Sequence, residues 1–119
     1  MKKVFLIATA ALALSAGHAF AHAYLVKADP KVGSTLAQAP TRLWLRFNEV
    51  VRLAGTGAEL VAPGGHAQVL TLSQDPKDVR AVVASLPASL PAGRYQVRWK
   101  ALSPDAHHTQ GDFSFTVGH

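Results

Sequence analysis

Three runs in this chain put every second residue on one apolar side, and a period of two is the signature of half-buried strands. In residues 42–47, Leu43, Leu45 and Phe47 share a face. In residues 94–100, Tyr95, Val97 and Trp99 share one face while Arg94, Gln96, Arg98 and Lys100 share the other. In residues 112–117, Phe113, Phe115 and Val117 align. Weaker strand candidates cover residues 24–28, 58–61, 69–72 and 79–86. Turn formers separate these runs: Asp29-Pro30, Val32-Gly33-Ser34, Gly55-Thr56-Gly57, Pro63-Gly64-Gly65, Asp75-Pro76 and Pro91-Ala92-Gly93. No stretch keeps a helical period, and residues 36–39 are expected to form a helical turn at most. About seven short strands at this spacing predict an all-β fold, a single Greek-key β-sandwich or barrel.

The strands begin only after a different kind of segment. Met1-Lys2-Lys3 is a short basic start, residues 4–16 are almost wholly apolar, and Ala19-Phe20-Ala21 fits the small-x-small rule for signal cleavage. The apolar run is shorter than the roughly 20 residues a spanning helix needs. The expectation is therefore a cleaved export signal over residues 1–21 and one domain over residues 22–119, with no membrane insertion after cleavage. An uncleaved anchor is the alternative.

Composition then removes several classes of chemistry. Cleavage takes two of the 12 Lys and Arg residues and leaves 10 against 7 acids, a mild excess of +3. The cations do not cluster or interleave with aromatics, so no nucleic-acid partner is expected. There is no cysteine, and Met1 is the single methionine. A disulfide framework, a thiolate zinc site and a blue-copper centre are all excluded. The domain must hold itself together by burial, which about 100 residues can do.

Histidine, aspartate and glutamate are left to carry chemistry. Ser103, Asp105 and His107 have the residue types of a catalytic triad, but residues so close in one loop rarely form a relay, and no nucleophile elbow is present. His22 stands out by position. After cleavage it offers a free α-amine and an imidazole from one residue, and the ring Nδ1 can close a chelate with the amine. Such nitrogen donors suit Cu(II). The competing explanation is that a histidine follows the cleavage site by accident. Asp105-Ala106-His107 places a carboxylate and an imidazole two residues apart, so on an extended chain they face one side. The competing explanation there is a turn, for which Ser103-Pro104-Asp105 is a good sequence.

The opening His22-Ala23-Tyr24-Leu25-Val26, then Asp29-Pro30 and Gly33-Ser34, resembles the start of the CopC family of periplasmic copper-binding proteins, as does Leu45-Arg46-Phe47-Asn48-Glu49. The end is more specific. Gly93-Arg94-Tyr95-Gln96-Val97-Arg98-Trp99, Ser103-Pro104-Asp105-Ala106-His107, Gly111 and Phe113 to Val117 resemble the family pattern G-x-Y-x-V-x-W, S-x-D-x-H, G and F-x-V. The resemblance covers essentially all of residues 22–119. It implies a cupredoxin-like (immunoglobulin-like) barrel and a role in copper homeostasis or resistance. It implies Cu(II) ligands at His22 (amine and ring), Asp105 and His107, and it places Glu49 near them as a carboxylate that orients a ligating imidazole.

The methionine-rich loop of some family members is missing here. Residues 60–69 hold only His66, so a Cu(I) site is not expected. His66, His108 and His119 are read as exposed bystanders. The resulting expectation is a periplasmic, non-enzymatic Cu(II) carrier or buffer that presents copper to a CopD-like inner-membrane transporter. Two alternatives stay open: an oxidative copper enzyme with an N-terminal histidine chelate, and an immunoglobulin-like structural module without metal.

Overall fold

The computed structural model describes residues 22–118. The expected signal segment and the bystander His119 lie outside the described residues. Among the described residues nine strands follow one another: β1 (Leu25–Asp29), β2 (Thr35–Leu36), β3 (Arg42–Phe47), β4 (Gly57–Val61), β5 (Ala67–Leu70), β6 (Ser73–Asp75), β7 (Asp78–Ser85), β8 (Gly93–Leu102) and β9 (His108–Val117). They build two sheets, in the orders β1-β3-β7-β6 and β2-β9-β8-β4-β5. All pairings are antiparallel except β2 with β9. The described residues contain no helix. The protein is the all-β sandwich that the alternation predicts.

The period of two becomes burial directly. Leu43, Leu45 and Phe47 on β3, Tyr95 and Val97 on β8, and Phe113, Phe115 and Val117 on β9 join one core cluster between the sheets. Phe47 of one sheet meets the indole of Trp99 of the other edge-on at 5.5 Å, and Tyr95 stacks on Phe115 at 5.5 Å. Aromatic pairs of this kind add to the burial of their area. The Tyr95 hydroxyl is satisfied by donating to Pro91 O at 2.6 Å, and burial pushes its pKa up. Trp99 needs the glycine opposite it. A Cβ on Gly111 would lie 2.6 Å from Trp99 Cζ2, so only glycine lets the ring lie across β9.

Three expectations are adjusted. Residues 36–39 form no helical turn: Thr35–Leu36 is a strand, drawn into parallel pairing with Thr116 and Val117 because Gly33 N, Thr116 N and Gly118 N donate across that edge. The strand expected at 69–72 lies at Ala67–Leu70, where pairing with β4 sets its bounds. Ser73–Asp75 is an extra short strand on β7, polar and therefore silent in the hydrophobic pattern.

The topology brings four strand ends to one place. Leu25 at the start of β1 pairs with Phe47 at the end of β3. Leu102 at the end of β8 pairs with His108 at the start of β9. On β1 the register shifts between Leu25 and Lys27, leaving Val26 as the extra residue of a bulge. Residues 22–24 and the β8–β9 loop, residues 103–107, therefore emerge at the same end.

Candidate metal centre

The segment before β1 is tied down from both sheets. Asn48, just past β3, accepts the Tyr24 backbone N–H on Oδ1 at 2.6 Å and donates from Nδ2 to His22 O at 3.2 Å. Its own backbone N–H donates to Tyr24 O at 3.0 Å. Thr109 on β9 donates its hydroxyl to Ala23 O at 2.6 Å, and Ala23, in the middle of this strap of residues 22–24, is fully buried. His22 is thus held over the loop that carries Asp105 and His107.

That loop is a closed turn. Ser103 N donates to His107 O at 2.9 Å and Ala106 N donates to Ser103 O at 3.0 Å. Ala106 has a φ of 68°, left-handed backbone that an L residue adopts at a cost. Asp105 and His107 therefore face one side because the chain turns at Ala106, rather than because it is extended as the spacing argument assumed. Arg52 braces the loop from outside: its backbone N–H donates to Leu102 O at 2.8 Å and its Nη2 to Pro104 O at 2.9 Å.

The side chains meet in sequence. The His22 and His107 rings lie 4.8 Å apart, edge to face. His107 Nδ1 lies 3.0 Å from Asp105 Oδ2, both groups about half exposed. Ser103 donates its hydroxyl to Asp105 Oδ1. That hydrogen bond, followed by the contact with His107, holds the Asp105 carboxyl below its ordinary range despite some desolvation. The carboxylate is thus kept anionic beside the His107 imidazole, whose ring in turn faces that of His22, at a solvent-reachable rim. Among the described residues no three His, Asp or Glu side chains close into a ready-made metal cluster. A donor set of two imidazoles and one carboxylate fits a borderline divalent ion such as copper, and the backbone nitrogen of His22 would be a further donor in a chain that began there.

Glu49 is half-buried next to Asn48. Among the described residues it makes no hydrogen bond to, or ion pair with, His22, Asp105 or His107. His66 is exposed in the β4–β5 turn, and His108 is exposed where β9 begins. Sequence reasoning did not single out Asn48, Thr109 or Arg52, and it weighed Ser103 only as a triad-like serine and as a turn residue. Asn48 and Ser103 stand inside the motifs that carried the resemblance, which was the available signal. Thr109 had none, since its partner Ala23 is 86 positions away.

Fold and site together define a small β-sandwich that presents a histidine–carboxylate cluster at one end. The chain belongs to the CopC family: the CopC domain model matches residues 25–118. Copper resistance protein C from Escherichia coli is 33% identical over 109 residues, covering 83% of this chain and 83% of that protein. Copper transport protein CutJ from Bacillus subtilis (strain 168) is 31% identical over 100 residues, 83% of this chain and 18% of CutJ. The crystal structure of CopC from Methylosinus trichosporium OB3b superposes with a TM-score of 0.74 at 29% identity, over 81% of this chain and 93% of that one.

Proposed function

We propose that this chain is an exported, non-enzymatic Cu(II) carrier or buffer of the periplasm, with copper as its cargo. Export removes residues 1–21, His22 becomes the first residue, and copper is held by the His22 amine and imidazole, Asp105 and His107. The observation that carries this reading is the tethering of residues 22–24 from both sheets, with the His22 ring 4.8 Å from that of His107. A loose N-terminal residue would have no reason to be tied so closely to a histidine. Family membership supports copper as the cargo, since relatives are named for copper resistance and copper transport.

The donor set favours Cu(II). Neither cysteine nor methionine is present beyond Met1, so the soft ligands that stabilise Cu(I) are missing. An anionic Asp105 in the ligand set holds the higher oxidation state against reduction, which favours carrying over oxidative catalysis. Presentation to a CopD-like inner-membrane transporter is supported by CutJ, a copper transport protein in which the matched region is only 18% of the length.

The test is Cu(II) titration of processed protein, read by competition with a chelator and by electron paramagnetic resonance. One equivalent of Cu(II) should bind with a nitrogen-rich spectrum. Asp105→Ala and His107→Ala should each weaken binding strongly while the fold persists. Unchanged affinity in either variant removes that residue from the ligand set.

A further inference from the structure

Ser103 is the buried polar residue of the described structure, fully enclosed at the point where β8 gives way to the site loop. Its hydroxyl does two things at once. It accepts the His107 backbone N–H at 3.2 Å and donates to Asp105 Oδ1. The other carboxylate oxygen, Oδ2, is the one beside His107 Nδ1, at 3.0 Å. The two oxygens of Asp105 are therefore divided between the interior and the site. We infer that Ser103 makes Asp105 a one-oxygen ligand by holding Oδ1 toward the interior, so that Oδ2, on the His107 side, is the oxygen offered to the metal. This rests on the reading of Asp105 as a copper ligand.

The chemistry follows from the donors. A hydrogen bond to an ionised acceptor is markedly stronger than a neutral one. For Asp105 to chelate through both oxygens, Oδ1 must turn to the metal and share its lone pairs with a fully buried hydroxyl whose position is fixed, which weakens that bond. The other acceptor in reach, His107 O at 3.2 Å, already receives Ser103 N–H at 2.9 Å. One carboxylate oxygen, two imidazoles and one amine make four donors, which suits the tetragonal preference of Cu(II). Ser103 is thus a positioning residue: it sets the number of oxygens offered as well as where Asp105 points.

Cu(II) affinity is compared for processed wild type, Ser103→Ala, Asp105→Ala and the double variant, with metal-free urea midpoints measured alongside. The expected result is a loss of about tenfold for Ser103→Ala, the scale of one charge-assisted hydrogen bond. Asp105→Ala should lose more, and the double variant should stay within about twofold of Asp105→Ala, because interacting residues are not additive. A full additive loss in the double variant, or wild-type affinity in Ser103→Ala, overturns the inference while leaving Asp105 a ligand. Wild-type affinity in Asp105→Ala fails the ligand reading itself. A second measurement needs no variant: infrared difference spectra of ¹³C-aspartate-labelled protein on adding Cu(II). Widely separated carboxylate stretches indicate one-oxygen ligation, as expected. The narrow separation of a chelating carboxylate contradicts it, whatever becomes of Ser103→Ala.

Discussion

Replacing Asn48 by alanine tests how His22 is positioned. The substitution removes the Oδ1 bond to Tyr24 N–H at 2.6 Å and the Nδ2 bond to His22 O at 3.2 Å. The backbone bond from Asn48 N to Tyr24 O and the Thr109 bond to Ala23 O survive it, so the strap loosens without leaving. Each lost bond contributes about 0.5–1.5 kcal/mol net, and both together about 1–2 kcal/mol at this exposed position. If that order must be restored when copper binds, the cost appears in the dissociation constant. At about 1.4 kcal/mol per factor of ten, Cu(II) affinity should fall about 5- to 30-fold. The assay is competition with a Cu(II) chelator on protein beginning at His22, with the urea midpoint of the metal-free protein as control. The same lost bonds lower the metal-free stability by at most about 1–2 kcal/mol, so the midpoint should fall modestly while unfolding stays cooperative. Affinity within twofold of wild type would refute the idea that these bonds preorganise His22.

Gly111→Ala should destabilise the domain by about 1–3 kcal/mol, the usual cost of overpacking, since its Cβ would meet the Trp99 ring at 2.6 Å. A urea midpoint equal to wild type would show that the indole can move aside freely. The pH dependence of stability should report Asp75 and Asp78, both held below the ordinary carboxylate value of 3.8. Asp75 is held there first by the Lys77 backbone N–H and then by the Trp44 indole, and Asp78 by the Arg80 backbone N–H and then the Arg46 side chain. A depressed carboxylate contributes stability above its unfolded pKa and loses it as pH falls through the folded one. The urea midpoint should therefore drop as pH is lowered below about 4, and Asp75→Asn with Asp78→Asn should flatten that drop. An acid limb unchanged by the double substitution would assign it to other groups.

The parts of the fold that could be read in the sequence were those whose own side chains record their burial. β3 alternates from its first residue to its last, and so does the middle of β8. The first four residues of β9, His108-Thr109-Gln110-Gly111, carry no apolar alternation. They are strand because residues 99–102 of β8 pair with them. β2 and β6 are likewise defined by the edges they dock on, and a polar or two-residue strand leaves no period to detect. The site divides in the same way. His22 was visible from its place after a cleavage rule, and Asp105 and His107 from their spacing. Their common facing came from a left-handed Ala106, which nothing in Asp-Ala-His requires. The tethers that bring His22 to the loop join residues 24 to 86 positions apart, and a single chain read along its length does not connect them.

The account stands on the His22 backbone nitrogen being a copper donor. Two versions of the chain, one beginning at His22 and one carrying a single extra residue before it, isolate that atom. The extra residue turns a basic amine into an amide and breaks the chelate with the ring, while Asp105 and His107 stay as they are. Both are titrated with Cu(II) against a competing chelator across pH. The version beginning at His22 should bind much more tightly. Its affinity should weaken as pH falls below neutral, because nitrogen donors must give up their protons before they can hold the metal. Equal affinities with the same pH profile would contradict the account, because the amine would then hold no copper.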